Sequence, residues 1–289
     1  MFQHTLQHKV SFAGIGVHSG EMAHITIEPA PDDYGIQFCR TDVEPHVNIP
    51  AFVDYVVATD FCTVIGRSGV NVMTIEHLLS ALVGMGVDNA RILISGPEVP
   101  IMDGSSSSFV FLLEASGLKQ QKKPKKVIQL HYPVRVEKDE RFIEVSPSSC
   151  FHISIQQELV LNGQKRVLEY NYDDRPHAYV CHISRARTYG WLSQYELLLK
   201  NKMSQGACLN NALLFTDNGP VNESGLRYAD EPCRHKVLDA IGDLALAGTK
   251  IIGHVRGHNT GHAMNIELVD KLMKDKDAWS YVDYEALSA

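Results

Sequence analysis

Residues 117–126 read Gly-Leu-Lys-Gln-Gln-Lys-Lys-Pro-Lys-Lys, and five lysines with a proline in ten residues leave almost nothing to bury. A boundary there predicts two domains, residues 1–121 and 127–289. That agrees with roughly 150 residues per domain in a chain of 289. On the N-terminal side, residues 8–64 alternate apolar and polar in short runs such as His24-Ile25-Thr26-Ile27-Glu28 and Gly35-Ile36-Gln37-Phe38-Cys39, the period of antiparallel strands. From Thr74 the period lengthens. Ile75, Leu78, Leu79, Leu82 and Val83 fall at helical spacing until Gly84 and Gly86 end the pattern, which predicts a buried helix. A strand over 90–95, a loop through Asp103-Gly104 and a short helix begun by Ser107 or Ser108 complete this half. The C-terminal side repeats the order: strands from Val127 to about Tyr172, a helical segment over 189–200, a strand over 212–216, a helix over 231–247, a strand over 250–254 and a helix over 262–274. The expected fold is α+β, with two similar domains, each a mainly antiparallel sheet packed with helices as a two-layer sandwich.

Composition removes several classes. With 34 acidic and 27 basic side chains the formal charge is −7, which argues against nucleic-acid binding. An apolar fraction of 44% with 21% charged residues is ordinary for a globular protein and excludes a disordered or collagen-like chain. No run approaches the ~18 consecutive apolar residues of a membrane span, and the N-terminus lacks a basic stretch followed by an apolar one, so an unexported, cytoplasmic protein is expected. Cys39, Cys62, Cys150, Cys181, Cys208 and Cys233 form no Cys-x-x-Cys pair and read as free thiols in a reducing compartment.

Histidine is the unusual entry, with 14 copies. The strongest local pattern is His235-Lys236-Val237-Leu238-Asp239-Ala240-Ile241-Gly242-Asp243, where His235 and Asp239 stand four apart and so face the same way on a helix. Asp243 extends that stripe, while Val237, Leu238, Ile241, Leu244 and Ala245 form the apolar one. A His and an Asp so placed either make a surface ion pair or share a divalent ion, and a third ligand decides between the two. Thr74-Ile75-Glu76-His77 offers one: His77 lies about 200° round the helix from Ile75, off the apolar stripe, with Glu76 beside it in the first turn. His254, His258 and His262 recur every four residues, yet each follows a glycine, which is poor inside a helix by ~1 kcal/mol relative to alanine. They read as a strand end and a solvated loop, with His262 opening the last helix as a proton donor.

Two other patterns carry no chemistry. Gly14-Ile15-Gly16-Val17-His18-Ser19-Gly20 has its third glycine one place late for a dinucleotide fingerprint and no helix after it. Ser105 to Ser108 lies in no Gly-x-Ser-x-Gly elbow and reads as a loop and helix cap.

Taken together, six segments in order resemble the UDP-3-O-acyl-N-acetylglucosamine deacetylases of lipid A biosynthesis, over almost the whole chain. They are Gly14 to Gly20, Thr74-Ile75-Glu76-His77-Leu78, Pro100-Ile101-Met102-Asp103-Gly104-Ser105, Ser184-Arg185-Ala186-Arg187-Thr188, Arg234 to Asp243, and Thr260-Gly261-His262-Ala263-Met264-Asn265. The resemblance implies a metal-dependent amidohydrolase with one zinc, or Fe2+ in its place, at the domain junction, removing acetyl from the sugar nitrogen of a UDP-acyl-sugar. His77, His235 and Asp239 match the metal ligands and Glu76 the general base. His262 matches the proton donor, Asp243 the carboxylate that orients it, Thr188 a hydroxyl near the oxyanion, and Lys236 and Tyr189 substrate contacts. The resemblance further implies a monomer with no nucleic-acid partner and no stable membrane insertion, although the acylated substrate brings it into transient membrane contact. An acyl-chain passage would use Tyr189-Gly190-Trp191-Leu192 and Leu197 to Leu199 as walls.

Two positions depart from the family pattern: Tyr189 stands where phenylalanine is common, and Cys62-Thr63-Val64 replaces a Cys-Thr-Cys-like segment, removing a thiol expected near the site. The competing readings are a non-haem iron oxygenase, which shares two histidines and a carboxylate, and a metal-free carbohydrate- or nucleotide-binding protein. Glu76 and the His262-Asp243 pair favour hydrolysis, because they are proton carriers.

Overall fold

The computed structural model describes residues 1–287, an α+β chain whose two halves contain the same sheet. In the first half, the hairpin Val10–Ile15 and Met22–Pro29 lies at one side and the hairpin Ile36–Arg40 and Val47–Pro50 at the other. Strand Ala90–Ile94 is inserted between them, antiparallel to the first hairpin and parallel to the second. The second half repeats this arrangement, with hairpins Val134–Lys138/Arg141–Ser146 and His152–Leu161/Gln164–Asp173 and His254–His258 inserted between them in the same two senses. The expected alternation holds at residue level: Ala23, Ile25 and Ile27 are buried along one strand while their neighbours are not.

Six helices complete the fold: α1 (Glu76–Gly84), α2 (Ser107–Ser116), α3 (Ala178–His182), α4 (Leu192–Lys200), α5 (Glu231–Leu244) and α6 (His262–Lys274). Each half places one helix before its inserted strand and one after it, α1 and α2 in the first, α5 and α6 in the second. Helix α5 covers the long hairpin of the second sheet, α6 the short one, and α1 packs along α5, joining the halves. Both joining helices are buried almost all round, with Glu76 through Leu82 of α1 and twelve residues of α5 excluded from solvent. The crossing is close at Gly242, where a Cβ would stand 2.0 Å from the carbonyl oxygen of Glu76. Among the described residues no helix is long and apolar enough to cross a membrane.

Three expectations are corrected. The lysine-rich segment is a strand, Leu118–Pro124, antiparallel to Phe2–Leu6. Its side chains are exposed as its composition requires, but the backbone hydrogen bonds are made and Gln121 donates to the Ala30 carbonyl. The helical segment over 189–200 divides into a short strand, Tyr189–Trp191, paired in parallel with Leu213–Thr216, and then α4. His258, expected in a loop, lies with His254 in the central strand of the second sheet, His254–His258. His254 Nε2 is 2.8 Å from Ser154 Oγ, and His258 Nε2 is 3.3 Å from Glu158 Oε1.

Replacing Gly242 with alanine should lower stability by ~1–3 kcal/mol, since the added methyl must push the two helices apart. Urea unfolding of Gly242→Ala against the parent chain measures this.

Candidate active site at the helix crossing

Helix α1 begins at the crossing because the chain before it is pinned. Met73 pairs with the 97–99 segment through Met73 N–H to the Pro97 carbonyl (2.8 Å) and Val99 N–H to the Met73 carbonyl (3.0 Å). Thr74 then takes a left-handed conformation, φ +57°, which is costly for a β-branched residue, and its hydroxyl donates to buried Glu98 at 2.7 Å. The next turn sets Glu76 and His77 against α5, whose polar stripe His235, Asp239 and Asp243 faces them.

Three side chains converge. His235 Nε2 lies 3.2 Å and His77 Nε2 3.6 Å from Asp239 Oδ1, with the two imidazole planes at 89° and their centroids 4.9 Å apart. Asp239 Oδ1 is buried and accepts no hydrogen bond among the described residues, while Oδ2 accepts one from Lys236 Nζ at 2.9 Å. His235 Nδ1 donates to the Ala186 carbonyl at 3.0 Å, which leaves the Nε2 lone pair pointing at the carboxylate. Burial pushes the His235 pKa down to about 3, against the pull of Asp239, so this imidazole is neutral. An unpartnered carboxylate oxygen faced by two imidazole nitrogens is what a divalent ion needs, and the ligand atoms of all three residues lie within 4.8 Å of one another.

Around this group stands a second set. Glu76 is 2% exposed and does not belong to the three: Oε2 accepts the Thr63 N–H at 3.1 Å, and Oε1 is 3.9 Å from His262 Nε2. Burial raises the Glu76 pKa, only partly offset by His262 and His77. His262 opens α6 and gives Nδ1–H to Asp243 Oδ2 at 2.9 Å. Burial disfavours its charge, but the carboxylates of Asp243, Glu76 and Asp239 outweigh that and lift its pKa to about 9. Asp243 is fully buried and also accepts from Thr63 Oγ1 at 2.6 Å and Asn265 Nδ2 at 2.8 Å.

Glu76, His77, His235, Asp239 and His262 line a cavity of about 170 Å³ together with His18, Phe61, Thr188, Tyr189 and Lys236, with Asp243 behind His262. Thr188 is presented by its neighbour: Arg187 is clamped to buried Glu231 by backbone N–H (3.0 Å), Nε (2.8 Å) and Nη2 (3.1 Å). The Tyr189 ring lies 6.4 Å from that of His235 and 5.6 Å from Lys236 Nζ. A larger cavity, about 1180 Å³, opens at the opposite ends of α1 and α5, and none of these groups lines it.

All nine candidate residues thus meet in one place. Thr63, Asn265, Glu98 and His18 carry parts of the site that sequence reasoning missed. Asn265 is three residues after His262 on one helix, a spacing that could have revealed it. Thr63 and Glu98 contact residues far away in sequence and leave no local signal. Val64 is buried in its strand and does not line the cavity, so the missing thiol is not missed at the site itself. The acyl-passage leucines of α4 are not core: Leu197 is 62% exposed.

Once these contacts are counted, what stays available to a substrate is a buried carboxylate and an imidazole, side chains able to carry protons, and the family and relatives the chain matches make it a hydrolase. The family model for UDP-3-O-acyl N-acetylglycosamine deacetylases matches residues 3–274, and the chain belongs to that family. It is 42% identical over 286 residues to a UDP-3-O-acyl-N-acetylglucosamine deacetylase of Coxiella burnetii, covering 98% of this chain and 94% of that protein. The same name is carried by a Shewanella oneidensis relative, 41% identical over 291 residues, covering 99% of this chain and 94% of the relative.

Chelated protein reloaded with zinc should bind one ion per chain. His77→Ala should lose it, whereas Glu76→Ala should retain it; elemental analysis after gel filtration checks both. Equal loss in the two variants would make Glu76 a ligand.

Proposed function

We propose that the chain hydrolyses the N-acetyl group of UDP-3-O-(3-hydroxyacyl)-N-acetylglucosamine in the cytoplasm, giving UDP-3-O-(3-hydroxyacyl)-glucosamine and acetate, as a zinc-dependent step of lipid A synthesis. The observation that carries this reading is the unpartnered Asp239 Oδ1 facing His77 and His235 while Glu76, beside it, is left out of the ligand group. A zinc ion held by His77, His235 and Asp239 would lower the pKa of a water towards ~7 and polarise the amide carbonyl. Glu76 then takes the water proton. Burial raises its pKa above the ordinary carboxylate range, which makes it a stronger base for that proton.

The remaining residues serve the other end of the amide. Thr188 offers its hydroxyl where negative charge develops on the carbonyl oxygen, which lowers the barrier more than it stabilises the ground state. His262, charged and oriented through Nδ1 by Asp243, delivers its Nε2 proton to the departing amine. Lys236 and Tyr189 hold the sugar and acyl portion at the cavity wall. The exposed leucines of α4, which do not line the cavity, would form the walls of an acyl-chain passage leading from it, and a monomer suffices because every proposed group comes from one chain.

The test is acetate release from the UDP-acyl-sugar before and after chelation, then after zinc is restored. Zinc-restorable release is expected; no release by folded, zinc-replete protein across several acyl lengths would overturn the substrate assignment.

Only the form with Glu76 deprotonated and His262 protonated turns over. The rate should therefore rise with pH as Glu76 ionises, above the ordinary carboxylate range, and fall as His262 loses its proton near 9. His262→Ala should lower kcat by ~10²–10⁴ and abolish the alkaline limb of the profile. A full bell in that variant would exclude His262 as the acid.

A further inference from the structure

A second cluster of reactive side chains stands on the outer face of the second sheet. All six cysteines are free, and three of them, Cys150, Cys181 and Cys208, are exposed. Of these three only Cys150 meets a side-chain base among the described residues: its Sγ lies 2.7 Å from His152 Nε2. His152 Nδ1 in turn lies 2.7 Å from Asp173 Oδ1, and Asp173 Oδ2 accepts from Arg175 Nη2 at 2.9 Å.

Register builds this arrangement. His152 and Asp173 are directly opposed in the antiparallel pair His152–Leu161/Gln164–Asp173, so their side chains emerge together on one face. Cys150 stands in the bend just ahead of the strand, two residues before His152, and from there its Sγ reaches the His152 ring. His254, beside His152 in the parallel register, is the other ring facing the cluster, with centroids 5.9 Å apart, and its Nε2 is engaged by Ser154. The opposite face at these positions is core, with Ile153 and Ile155 fully buried, so the strands that hold the cluster are fixed. Neither Cys150 nor His152 lines either cavity.

A nucleophile in hydrogen-bond reach of a base, with the base oriented by a carboxylate, is the arrangement that activates a thiol. We propose that Cys150 is a nucleophilic modification site, with His152 as its base and Asp173 orienting the imidazole, and that it takes small disulfides to form a mixed disulfide. In the exchange, His152 Nε2 accepts the thiol proton as Sγ attacks one sulfur of the reagent. The reagent's S–S bond breaks, and its other half leaves as a thiolate that recovers the proton from His152. One disulfide is consumed, one mixed disulfide and one free thiol are formed, and Cys150 is oxidised as the departing half is reduced.

The experiment is a time course of the intact protein with oxidised glutathione, followed by proteolysis without reductant and mass spectrometry of each cysteine peptide. Cys150 should react at least about tenfold faster than Cys181 and Cys208, which are exposed but lack a base. His152→Ala and Asp173→Asn should each slow Cys150 towards the other two while leaving their rates unchanged. That comparison is internal, so a general loosening of the fold would be seen as acceleration at all three. Equal rates at the three cysteines in the parent protein, or an undiminished Cys150 rate in His152→Ala, would overturn the proposal.

Discussion

The close crossing of α1 and α5 is the constraint on which the rest of the structure depends. Gly242 lets α5 approach the first turn of α1 so nearly that Glu76, His77, His235, Asp239 and Asp243 are all 4% exposed or less. Burying that many ionisable groups is costly unless they satisfy one another. Most of them do. Asp243 draws on Thr63, Asn265 and His262, and Asp239 on Lys236 through one oxygen. The residue of the account is local: among the described residues Asp239 Oδ1 and His77 Nδ1 have no hydrogen-bond partner, and Asp239 Oδ1 lies at the point where the two imidazoles converge. Unmet buried polar groups are rare in native folds and concentrate where a ligand completes them.

The two halves share strand order and direction but contribute unequally. Each inserts material before the helix it sends to the junction: the small sheet Val56–Ala58/Val64–Arg67/Val70–Val72 before α1, and α3, α4 and the strands between and after them before α5. The first insertion brings Thr63 to the crossing, at the head of its middle strand. The second brings Thr188 and Tyr189. The equivalent helices are used differently, since α1 offers only its first turn while α5 offers a stripe from His235 to Asp243, a little over two turns long. A repeated framework therefore carries a site with no internal symmetry, because the chemistry sits on what is inserted and on which end of each helix reaches the junction.

Much of this is legible in the sequence because it is local. The helical period over 75–83, the i, i+4 pair His235/Asp239 and the alternation in the strands all follow from geometry that neighbouring residues share. What failed was local evidence overruled by tertiary packing. Glycine before histidine at 253–258 reads as loop, yet Gly257 lies in the central strand because a Cβ there would stand 2.5 Å from Thr260 and 2.8 Å from Ile155. The lysines of 118–124 forbid burial of side chains, but an edge strand needs only its backbone, and Phe2–Leu6 supplies the partner. No periodicity could connect Thr63 to Asp243, 180 residues away.

Thr63 shows how the junction couples Glu76 and His262, the proposed base and acid. Its backbone N–H holds Glu76 from one side, and its hydroxyl holds Asp243, hence His262, from the other, with Oγ1 also 3.3 Å from His262 Nδ1. The proposed base and acid thus share one fully buried residue across the boundary between the halves. A hydrogen bond of 2.6 Å tolerates little displacement, so opening the halves by an ångström would uncouple the acid's carboxylate from the base's anchor. The contacts at the junction resist such opening. Tyr179 is buried against α1 with its hydroxyl 2.9 Å from Ser80 Oγ, and α6 packs on the turn Val53–Tyr55 of the first half. Buried contacts of this kind on both sides of Thr63 build the placement of Glu76, Asp243 and His262 into the fold itself.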